Sequence, residues 1–505
     1  MHSEKVAKGA VYLTIQTISE YIFSLIFYLI IARILDSSDI GKLSLLLMLN
    51  SFFSLINPSI QLALQKFIPT YVEEGRSNEI GKIIRTGLTI LVSISISVLI
   101  VLLVFNAELS ILIFGSTSES WPIIIMLITA FIFNLSIFFG GEMLGFGMFK
   151  ELALQNILNT GVSRFLALSL TFLGFGLLGI TISWMLASFL ALIFALIVLR
   201  HKLQLKRGLP VKAILEYSLP IHIFTIILFI QAWADIAILY AFSPNLSQIG
   251  TYYLVVSGAL ILSMFYIPIG HAIFPALSGR YARNGRKGLA PMVETYIRIV
   301  SKILIPVGAS FAVLSATAIE VVYGPQHVSG AIPFAMLAAT SIIPSLTLLV
   351  ITIIQSTGKT RPIIIIGILS SITNIIVVAG FASQWGGIAG AAGRITFSMV
   401  GFIVGYYYIR SEIDLHLLSA IRKPIIVAIT IAFPLYILDQ YLTNIVPLTI
   451  RIRAPIEILS FFCLATLFAY LTKYFTKEDF GIIKQASPKK LERIIDKIEN
   501  TLIRK

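Results

Sequence analysis

Four ionisable residues lie inside long apolar stretches of this sequence, and they are the first guide to its chemistry. The acids are Glu20 and Asp235, and the bases are Arg164 and Arg394. A charged side chain at the centre of a membrane-spanning helix costs roughly 2.5–3.5 kcal/mol on insertion scales, so such residues usually face a protein interior or a water-filled path. These four residues are therefore the leading candidates for a polar site inside a membrane.

The acids and the bases suit different ligands. A guanidinium group donates two parallel hydrogen bonds, so Arg164 and Arg394 would bind a phosphate or another anion. Glu20 and Asp235 would instead bind a coupling ion, either Na⁺ or H⁺. The alternative for all four residues is a set of structural ion pairs between helices.

Seven amide side chains within the apolar stretches are suited to hydrogen bonding with sugar hydroxyl groups. They are Asn50, Gln61, Asn134, Asn156, Asn159, Gln231 and Asn374. Four of them, together with the two arginines, are predicted to line a substrate-binding cavity: Asn50, Gln61, Gln231 and Asn374. Hydrogen bonding between helices is the more common use of such side chains and is the alternative here.

The elements that position these residues must be membrane-spanning helices. The 505-residue chain is 57% hydrophobic and only 12% charged, with a mean hydropathy of +0.93, which excludes an ordinary soluble globular protein. Fourteen apolar stretches are each long enough to cross about 30 Å of hydrocarbon. They cover residues 10–32, 43–65, 84–106, 121–143, 153–174, 177–199, 214–241, 249–275, 296–318, 330–356, 362–382, 387–409, 424–443 and 454–473.

The first twelve predicted spans contain a duplication. Gly41 and Gly250 occupy matching positions about 210 residues apart, and so do Gly115 and Gly324. Landmarks repeated in one order at one spacing indicate two six-helix lobes that share an orientation, with a working cavity between them. The sequence therefore predicts an all-α polytopic membrane protein with two lobes and two extra C-terminal helices.

The charge distribution orients the chain and sets its predicted segments. With the N-terminus in the cytoplasm, all but six of the 38 Lys and Arg residues fall in cytoplasmic segments, as the positive-inside rule requires. Both termini are therefore predicted to be cytoplasmic. The net charge of +14 is assigned to orientation and to anionic lipid headgroups, and not to nucleic acid. The predicted segments are an N-terminal lobe (1–200), a basic cytoplasmic linker (201–213), a C-terminal lobe (214–410), two additional transmembrane helices (411–473) and a basic amphipathic tail (474–505).

Enzyme signatures are missing from the sequence. It has no HExxH motif, no P-loop and no clustered His, Cys and Asp residues, so we predict no catalytic residue, no metal and no cofactor. Residues 174–179 match the dinucleotide-binding fingerprint, but they form a tight hairpin between two spans with no preceding strand. The predicted outer loops are too short for a catalytic domain, which argues against a membrane glycosyltransferase or polymerase. The single cysteine, Cys463, excludes a disulfide framework.

Three predicted outer segments resemble those of the polysaccharide-biosynthesis (Wzx-type) flippases. They are Ala32-Arg-Ile-Leu-Asp-Ser-Ser-Asp-Ile-Gly41, Val322-Tyr-Gly-Pro-Gln-His327 and Gln384-Trp-Gly-Gly-Ile-Ala-Gly-Ala-Ala-Gly393. That family shares a superfamily with multidrug-and-toxin extruders and lipid II flippases. The resemblance extends over essentially the whole chain.

The resemblance implies an alternating-access flippase in the cell membrane. Such a protein moves a polyprenyl-(pyro)phosphate-linked oligosaccharide from the cytoplasmic to the outer leaflet, for assembly of cell-surface polysaccharide or glycan. A cationic cavity is typical of the family, and within the spans Arg164 and Arg394 match that expectation. The implied partners are the lipid-linked oligosaccharide, anionic membrane lipids and other polysaccharide-assembly membrane proteins. The alternative is an ion-coupled exporter of cationic compounds from the same superfamily, with a cavity dominated by Glu20 and Asp235.

Overall fold

The computed structural model describes residues 2–117, 120–202, 206, 211–285, 289–358, 361–410, 413, 417–446, 448–486, 496 and 499. Within these residues every regular element is helical, which confirms the predicted all-α class. The chain forms two compact units, Met1–Tyr253 and Leu254–Lys505. The segment boundaries expected from the sequence stay predictions.

The first unit contains nine complete α-helices and the start of a tenth. They are α1 (His2–Ile34), α2 (Ser37–Leu55), α3 (Ile60–Glu73), α4 (Ser77–Val104), α5 (Asn106–Phe114), α6 (Ser120–Gly145), α7 (Phe149–Phe172), α8 (Gly176–Leu199), α9 (Val211–Phe242) and α10 (Leu246–Ser263), the last of which continues into the second unit.

The second unit contains the remaining helices. They are α11 (Ile267–Asn284), α12 (Ala290–Val313), α13 (Ser315–Tyr323), a 3₁₀ turn (Pro325–Gly330), α14 (Ala331–Ala339), α15 (Ile342–Ser356), α16 (Arg361–Trp385), α17 (Gly387–Ile409), α18 (Leu417–Gln440), a π-helical turn (Tyr441–Ile445), α19 (Ile450–Leu471) and α20 (Lys477–Ala486).

Most of the long helices are suited to crossing a membrane. In the described part of the chain, eleven are long and apolar enough, or up to thirteen spans if each of two bent helix pairs counts as one. The fifth predicted span, residues 153–174, coincides with α7, which is 24 residues long. The helix α7 is not among the apolar helices counted above, because it carries polar residues such as Gln155, Asn159 and Arg164. Large side chains on α7, including Phe165 and Phe172, are nevertheless exposed, as expected for a lipid-facing surface.

The break between α2 and α3 follows from the sequence Asn57-Pro58-Ser59. Proline lacks a backbone N–H and disfavours helical geometry in the preceding residue, so α2 ends at Leu55. Ser59 then adopts a left-handed conformation (φ 50°), and α3 starts at Ile60 at an angle of 47° to α2. The bend leaves polar side chains of the break facing the interior of the first unit. Ser95 of α4 donates a hydrogen bond to Asn57 Oδ1 (3.1 Å).

The core of the first unit lies where α3, α4, α6 and the end of α8 meet. Leu64, Ile84, Phe138 and Met143 are buried there against one another. Gly141 lies at the closest contact between α6 and α3, because an added Cβ would lie 2.8 Å from the carbonyl oxygen of Gln61. This packing fixes the positions of α2, α3 and α6 around the polar residues described below.

Two repeat-related glycines bring the starts of α2 and α10 together. A Cβ added to Gly41 would lie 2.0 Å from the carbonyl oxygen of Leu246, and one added to Gly250 would lie 2.0 Å from that of Ser37. The Gly250 position is also only 2.6 Å from the backbone nitrogen of Gly41. Only glycine permits backbones to approach this closely.

In the second unit, α18 and α19 pack on one side of the other helices. Val427, Ile431 and Leu435 of α18 are buried together with Ala469 of α19, and they pack against the end of α12. The helices α11, α12, α15 and α17 enclose a separate apolar core. The residues Leu417 and Ala420 of α18 also border that core. The assignment of α18 and α19 as two additional helices stays a prediction.

The helix α20 is attached to α12 by a buried ion pair. Lys302 Nζ lies 2.6 Å from Asp479 Oδ2, and Arg298 Nε lies 3.4 Å from Asp479 Oδ1. Thr476 caps the helix, since its backbone N–H donates to Asp479 Oδ2 and the Asp479 N–H donates to Thr476 Oγ1. Burial alone would raise the pKa of Asp479, but the hydrogen bonds from Lys302 and Thr476 hold that pKa below its usual value. Beyond Ala486, almost all of the predicted basic amphipathic tail (474–505) lies outside the described residues.

We predict that Gly250→Ala destabilises the protein by about 1–3 kcal/mol, because its Cβ would force α2 and α10 apart. Gly380→Ala in α16 is the matched control, since no heavy atom lies within 4 Å of a Cβ added there. Thermal unfolding of the purified protein measures both variants. Equal effects of the two substitutions would contradict the close contact.

We predict that Asp479→Asn lowers the free energy of unfolding near neutral pH by roughly 3 kcal/mol, because Lys302 loses its buried partner. The folded pKa of Asp479 is depressed, so its contribution is complete above the unfolded value of about 3.9 and is lost as the pH falls through the folded value. The gap between wild type and variant should therefore close in acid. Thermal unfolding from about pH 6 down to pH 3 tests this.

Glu478→Gln is the control for that measurement, because Glu478 is exposed and pairs with Arg298 at the surface. Its effect should stay below about 1 kcal/mol at every pH. A gap between wild type and Asp479→Asn that persists unchanged at the lowest pH would show that the ion pair is not its source.

Candidate functional site

Arg164 of α7 lies among aromatic rings from α1 and α8. Its guanidinium carbon is 4.8 Å from the ring centroid of Phe27, 5.0 Å from that of Trp184 and 5.8 Å from that of Tyr28. Phe27 and Trp184 are buried, and α7 packs directly on α1 and α8. Cation–π attraction to ring faces partly offsets the loss of water around the guanidinium. We call these three rings the aromatic cage.

The guanidinium of Arg164 has no counter-charge in the described part of the chain. It makes neither an ion pair nor a hydrogen bond there, and its Nε is buried without a partner, as is the Trp184 Nε1. The sequence-based alternative of an interhelical ion pair therefore does not apply to Arg164 among the described residues. The arrangement leaves a planar set of N–H donors free to bind an anion.

A row of aromatic rings leads away from the cage. The Tyr28 and Tyr253 hydroxyl oxygens are 2.6 Å apart, so one donates a hydrogen bond to the other. The ring of Tyr253 stacks on Trp233 of α9, with centroids 6.3 Å apart and planes 8° from parallel. Trp233 in turn forms part of the wall of a cavity. Arg164 and that cavity are thus joined by consecutive aromatic contacts.

The cavity has a volume of about 360 Å³ and lies between α2, α3, α4, α6 and α9. Phe133, Phe229 and Trp233 provide aromatic surface, and none of its described lining residues carries a charged carboxylate, ammonium or guanidinium group. We call it the amide cavity. Its polar lining comprises Asn50, Ser51, Ser54, Asn57, Ser59, Gln61, Asn134 and Thr225.

Four polar atoms at the wall of the amide cavity have no hydrogen-bond partner within the described protein. They are Asn50 Oδ1, Ser54 Oγ, Asn57 Nδ2 and Asn134 Nδ2. Asn57 and Asn134 are each only 5% exposed. Buried polar groups are almost always paired in folded proteins, so four unpaired ones around one cavity indicate a place for a polar ligand.

The break between α2 and α3 forms one end of this cavity and is bonded to α9. The Ser59 hydroxyl lies 3.0 Å from His222 Nδ1 and 3.2 Å from Thr225 Oγ1. The left-handed conformation of Ser59 is uncommon for a residue with a side chain, and these bonds help to hold it. The hydrogen bonds tie the bend to the helix that carries Trp233.

The remaining predicted residues of the first unit lie elsewhere. Glu20 is half-buried in α1 and accepts a hydrogen bond from Gln16 Nε2 (3.0 Å). Asp235 is 1% exposed and accepts a 2.5 Å hydrogen bond from the Tyr252 hydroxyl. Gln231 is exposed on α9 and is absent from the described lining of the amide cavity.

Arg394 and Asn374 belong to the second unit. Arg394 is half-buried in α17 and is already engaged in an interaction. Asn374 of α16 is 2% exposed and lies at the contact with Gly393 of α17. Asn50, Gln61 and Asn134 thus share one cavity. The substrate roles of all the predicted site residues stay predictions.

Several residues of the site were not predicted from the sequence. Asn57 and Trp233 are the main ones, and Trp184 completes the aromatic cage. The available signal was tryptophan in the middle of a span, since tryptophan in membrane proteins is enriched at the interfaces. Glu142 of α6 was also overlooked: it is fully buried, and neither carboxyl oxygen has a hydrogen-bond partner in the described chain.

A second cavity of the first unit, of about 610 Å³, is lined by the ends of α3, α4 and α6. Glu73 and Lys202 give it charges of both signs. None of its described lining residues has a buried, unpartnered polar side-chain atom. The amide cavity is therefore the better candidate for specific recognition.

The fold is similar to those of several solved membrane-protein structures. The lipid II flippase MurJ, in an inward closed conformation, superposes with a TM-score of 0.68 at 15% identity, covering 91% of this chain and 98% of that one. An inward-facing multidrug resistance MATE family transporter gives 0.65 at 15% identity, with 80% and 98% covered. A MOP superfamily transporter from Pyrococcus furiosus, described as having a binding pocket of reverse polarity, gives 0.51 at 15% identity, with 80% and 93% covered. Identities this low establish the fold alone.

The sequence match establishes the family. The model of the polysaccharide biosynthesis protein family matches residues 6–279, more than half of the chain. The chain therefore belongs to that family, which confirms the resemblance seen in its outer segments. No curated protein sequence matches it.

We predict that Tyr252→Phe is more destabilising than Tyr253→Phe. The first removes a buried hydrogen bond to Asp235, and a buried acceptor that loses its partner costs about 1–3 kcal/mol. The second removes a part-buried bond between two hydroxyl groups, worth about 0.5–1.5 kcal/mol. The two tyrosines are neighbours on one helix and lose the same hydroxyl group, so each variant is the control for the other. Chemical unfolding in detergent measures the difference, and the reverse order would contradict the greater burial of the Tyr252 bond.

Proposed function

We propose that this protein is a flippase that moves a polyprenyl-(pyro)phosphate-linked oligosaccharide from the cytoplasmic to the outer leaflet of the cell membrane, for assembly of cell-surface polysaccharide or glycan. The observation that carries the proposal is Arg164, a guanidinium without a counter-charge, held in the aromatic cage and joined to the amide cavity. The family match and the fold shared with a lipid II flippase support it.

Arg164 would bind the phosphate of the substrate. Its fork of N–H groups matches two phosphate oxygens, and surrounding aromatic rings reduce the competition from water. The sugar headgroup cannot cross hydrocarbon unaided, so it would travel through the protein. The polyprenyl chain would stay in the bilayer, because it is as apolar as the lipid.

The orientation of this transport rests on the positive-inside distribution of Lys and Arg, which favours cytoplasmic termini. The basic residues on that side would also bind anionic lipid headgroups. Other polysaccharide-assembly membrane proteins are the expected functional partners, since the flipped glycan needs enzymes on both sides of the membrane.

Alternating access would use the contact between α2 and α10. In the proposed topology Gly41 and Gly250 lie near the outer surface, so their contact closes the outer end of the path between these helices. Separation of the two helices would open it, with the bend between α2 and α3 as a flexible point. Glu20 and Asp235 would couple the movement to H⁺ or Na⁺.

We predict that Arg164→Ala slows translocation of a fluorescent polyprenyl-pyrophosphate-linked oligosaccharide in proteoliposomes by about ten- to a hundredfold, the equivalent of one charge-assisted bidentate contact. Arg164→Lys should keep part of the activity, because it keeps the charge without the fork. Arg85→Ala is the control, since Arg85 is exposed on α4 away from the aromatic cage.

The outcomes of this experiment distinguish a flippase with a phosphate site at Arg164 from the alternatives. Unchanged transport by Arg164→Ala would keep the flippase function and reject the phosphate site. No translocation by wild type, together with export of a cationic dye driven by an ion gradient, would favour the multidrug exporter instead. If Arg85→Ala also lost transport, the loss in Arg164→Ala would be explained by misfolding and not by a missing phosphate contact.

A further inference from the structure

We propose that the amide cavity binds an uncharged sugar residue of the substrate and makes the protein selective against glycans that carry an acidic sugar at that place. The proposal rests on the proposed function, since it names the glycan class that the flippase would accept. It concerns the chemistry of the cavity, which the phosphate contact at Arg164 does not determine.

The unpaired polar atoms of the cavity match the surface of a neutral sugar. Asn57 and Asn134 offer N–H donors, Asn50 offers a carbonyl acceptor, and Ser54 offers a hydroxyl that both donates and accepts. A sugar hydroxyl or acetamido group also carries both a donor and an acceptor. The set therefore supplies both donors and an acceptor, as neutral polar groups require.

Two of these amides, Asn50 and Asn134, are not used to hold the helices together. Gln155, an amide equally buried in the same unit, donates to the Ser136 hydroxyl at 2.7 Å. Asn50 and Asn134 make no side-chain hydrogen bond within the described protein. Interhelical bonding, the common use of amides in membranes, therefore accounts for the amide nitrogen of Gln155 and leaves Asn50 and Asn134 unexplained.

The absence of charge among the described lining residues sets the selectivity. A carboxylate of an acidic sugar would lose its water in this cavity without gaining a cation, which is strongly unfavourable. Neutral hydroxyls would exchange bonds to water for bonds to the amides at little cost. The aromatic faces of Phe133, Phe229 and Trp233 offer apolar surface to the C–H groups of a pyranose ring.

The position of the cavity connects it to the phosphate site. Trp233 stacks on Tyr253, whose hydroxyl meets that of Tyr28, and Tyr28 borders the guanidinium of Arg164. A substrate with its phosphate at Arg164 would therefore extend its glycan along these rings toward the amide cavity.

The test compares two soluble disaccharides, N,N′-diacetylchitobiose as the neutral probe and a glucuronic acid-containing disaccharide as the acidic one. Binding to the full-length protein in detergent is measured by calorimetry. We expect the neutral probe to bind at least about tenfold more tightly, and Asn134→Leu to weaken it by about tenfold. Asn134 has no protein partner to lose, so this variant should fold; Ser54→Ala removes a second unpaired atom with less change in volume.

Gln155→Met is the control, because it removes a buried amide outside the cavity. Gln155→Met should bind the neutral disaccharide more tightly than the acidic one by the same factor as the wild type does. Equal binding of both probes, or no binding of either, would overturn the proposal and indicate a cavity that only holds water. The same result in a protein that still translocates the lipid-linked substrate would leave the proposed function standing.

Failure of the proposed function gives a different pattern. In that case proteoliposomes would move no lipid-linked oligosaccharide, neutral or acidic, while calorimetry still reported selective binding of the neutral probe. That result would support the amide cavity as a neutral-sugar site in a protein with another transport activity. Preferential binding of the acidic probe would overturn the proposal whatever the transport result.

Discussion

A guanidinium inside a membrane-spanning helix costs roughly 2.5–3.5 kcal/mol on insertion scales, and Arg164 has no carboxylate to offset that cost among the described residues. The surrounding helices are arranged accordingly. Phe27 and Tyr28 of α1 and Trp184 of α8 supply ring faces, and α7 lies between those two helices. Such an arrangement is expensive to maintain for structure alone, and a ligand anion would complete it.

The amide cavity also contains polar groups without protein partners, but these groups are neutral. The bend at Asn57-Pro58-Ser59 interrupts a span and directs polar atoms inward, while α6 and α9 close the space with aromatic rings. A bilayer gives polar groups no other place to find partners, so their collection in one cavity concentrates recognition there. In the proposed function, Arg164 would bind the charged phosphate and the neutral cavity would bind part of the sugar headgroup.

Helical class and the approximate positions of the spans were predictable, because apolar runs of about 20 residues have few other folds available. Arg164 was predictable for the same reason: a charge in such a run is costly. The set of residues that lines the site could not be predicted in this way. Gln231 and Trp233 are two residues apart on α9, and only the packing of that helix decides that Trp233 lines the cavity while Gln231 is exposed. The 47° break between α2 and α3 also changes the directions in which side chains point before and after it. Helical periodicity along the sequence therefore could not show that Asn57 and Gln61 line the same cavity.

The contact between Gly41 and Gly250 has a meaning for the history of the chain. The two glycines occupy equivalent positions in the two halves of the sequence, and in the structure they meet each other. In a symmetric homodimer, a residue beside the two-fold axis contacts its own copy in the partner. An ancestral half-length protein that paired in this way would have brought one glycine against itself. Gene fusion would then have turned this contact between two identical subunits into a contact within one chain. The residues around each glycine could then change independently.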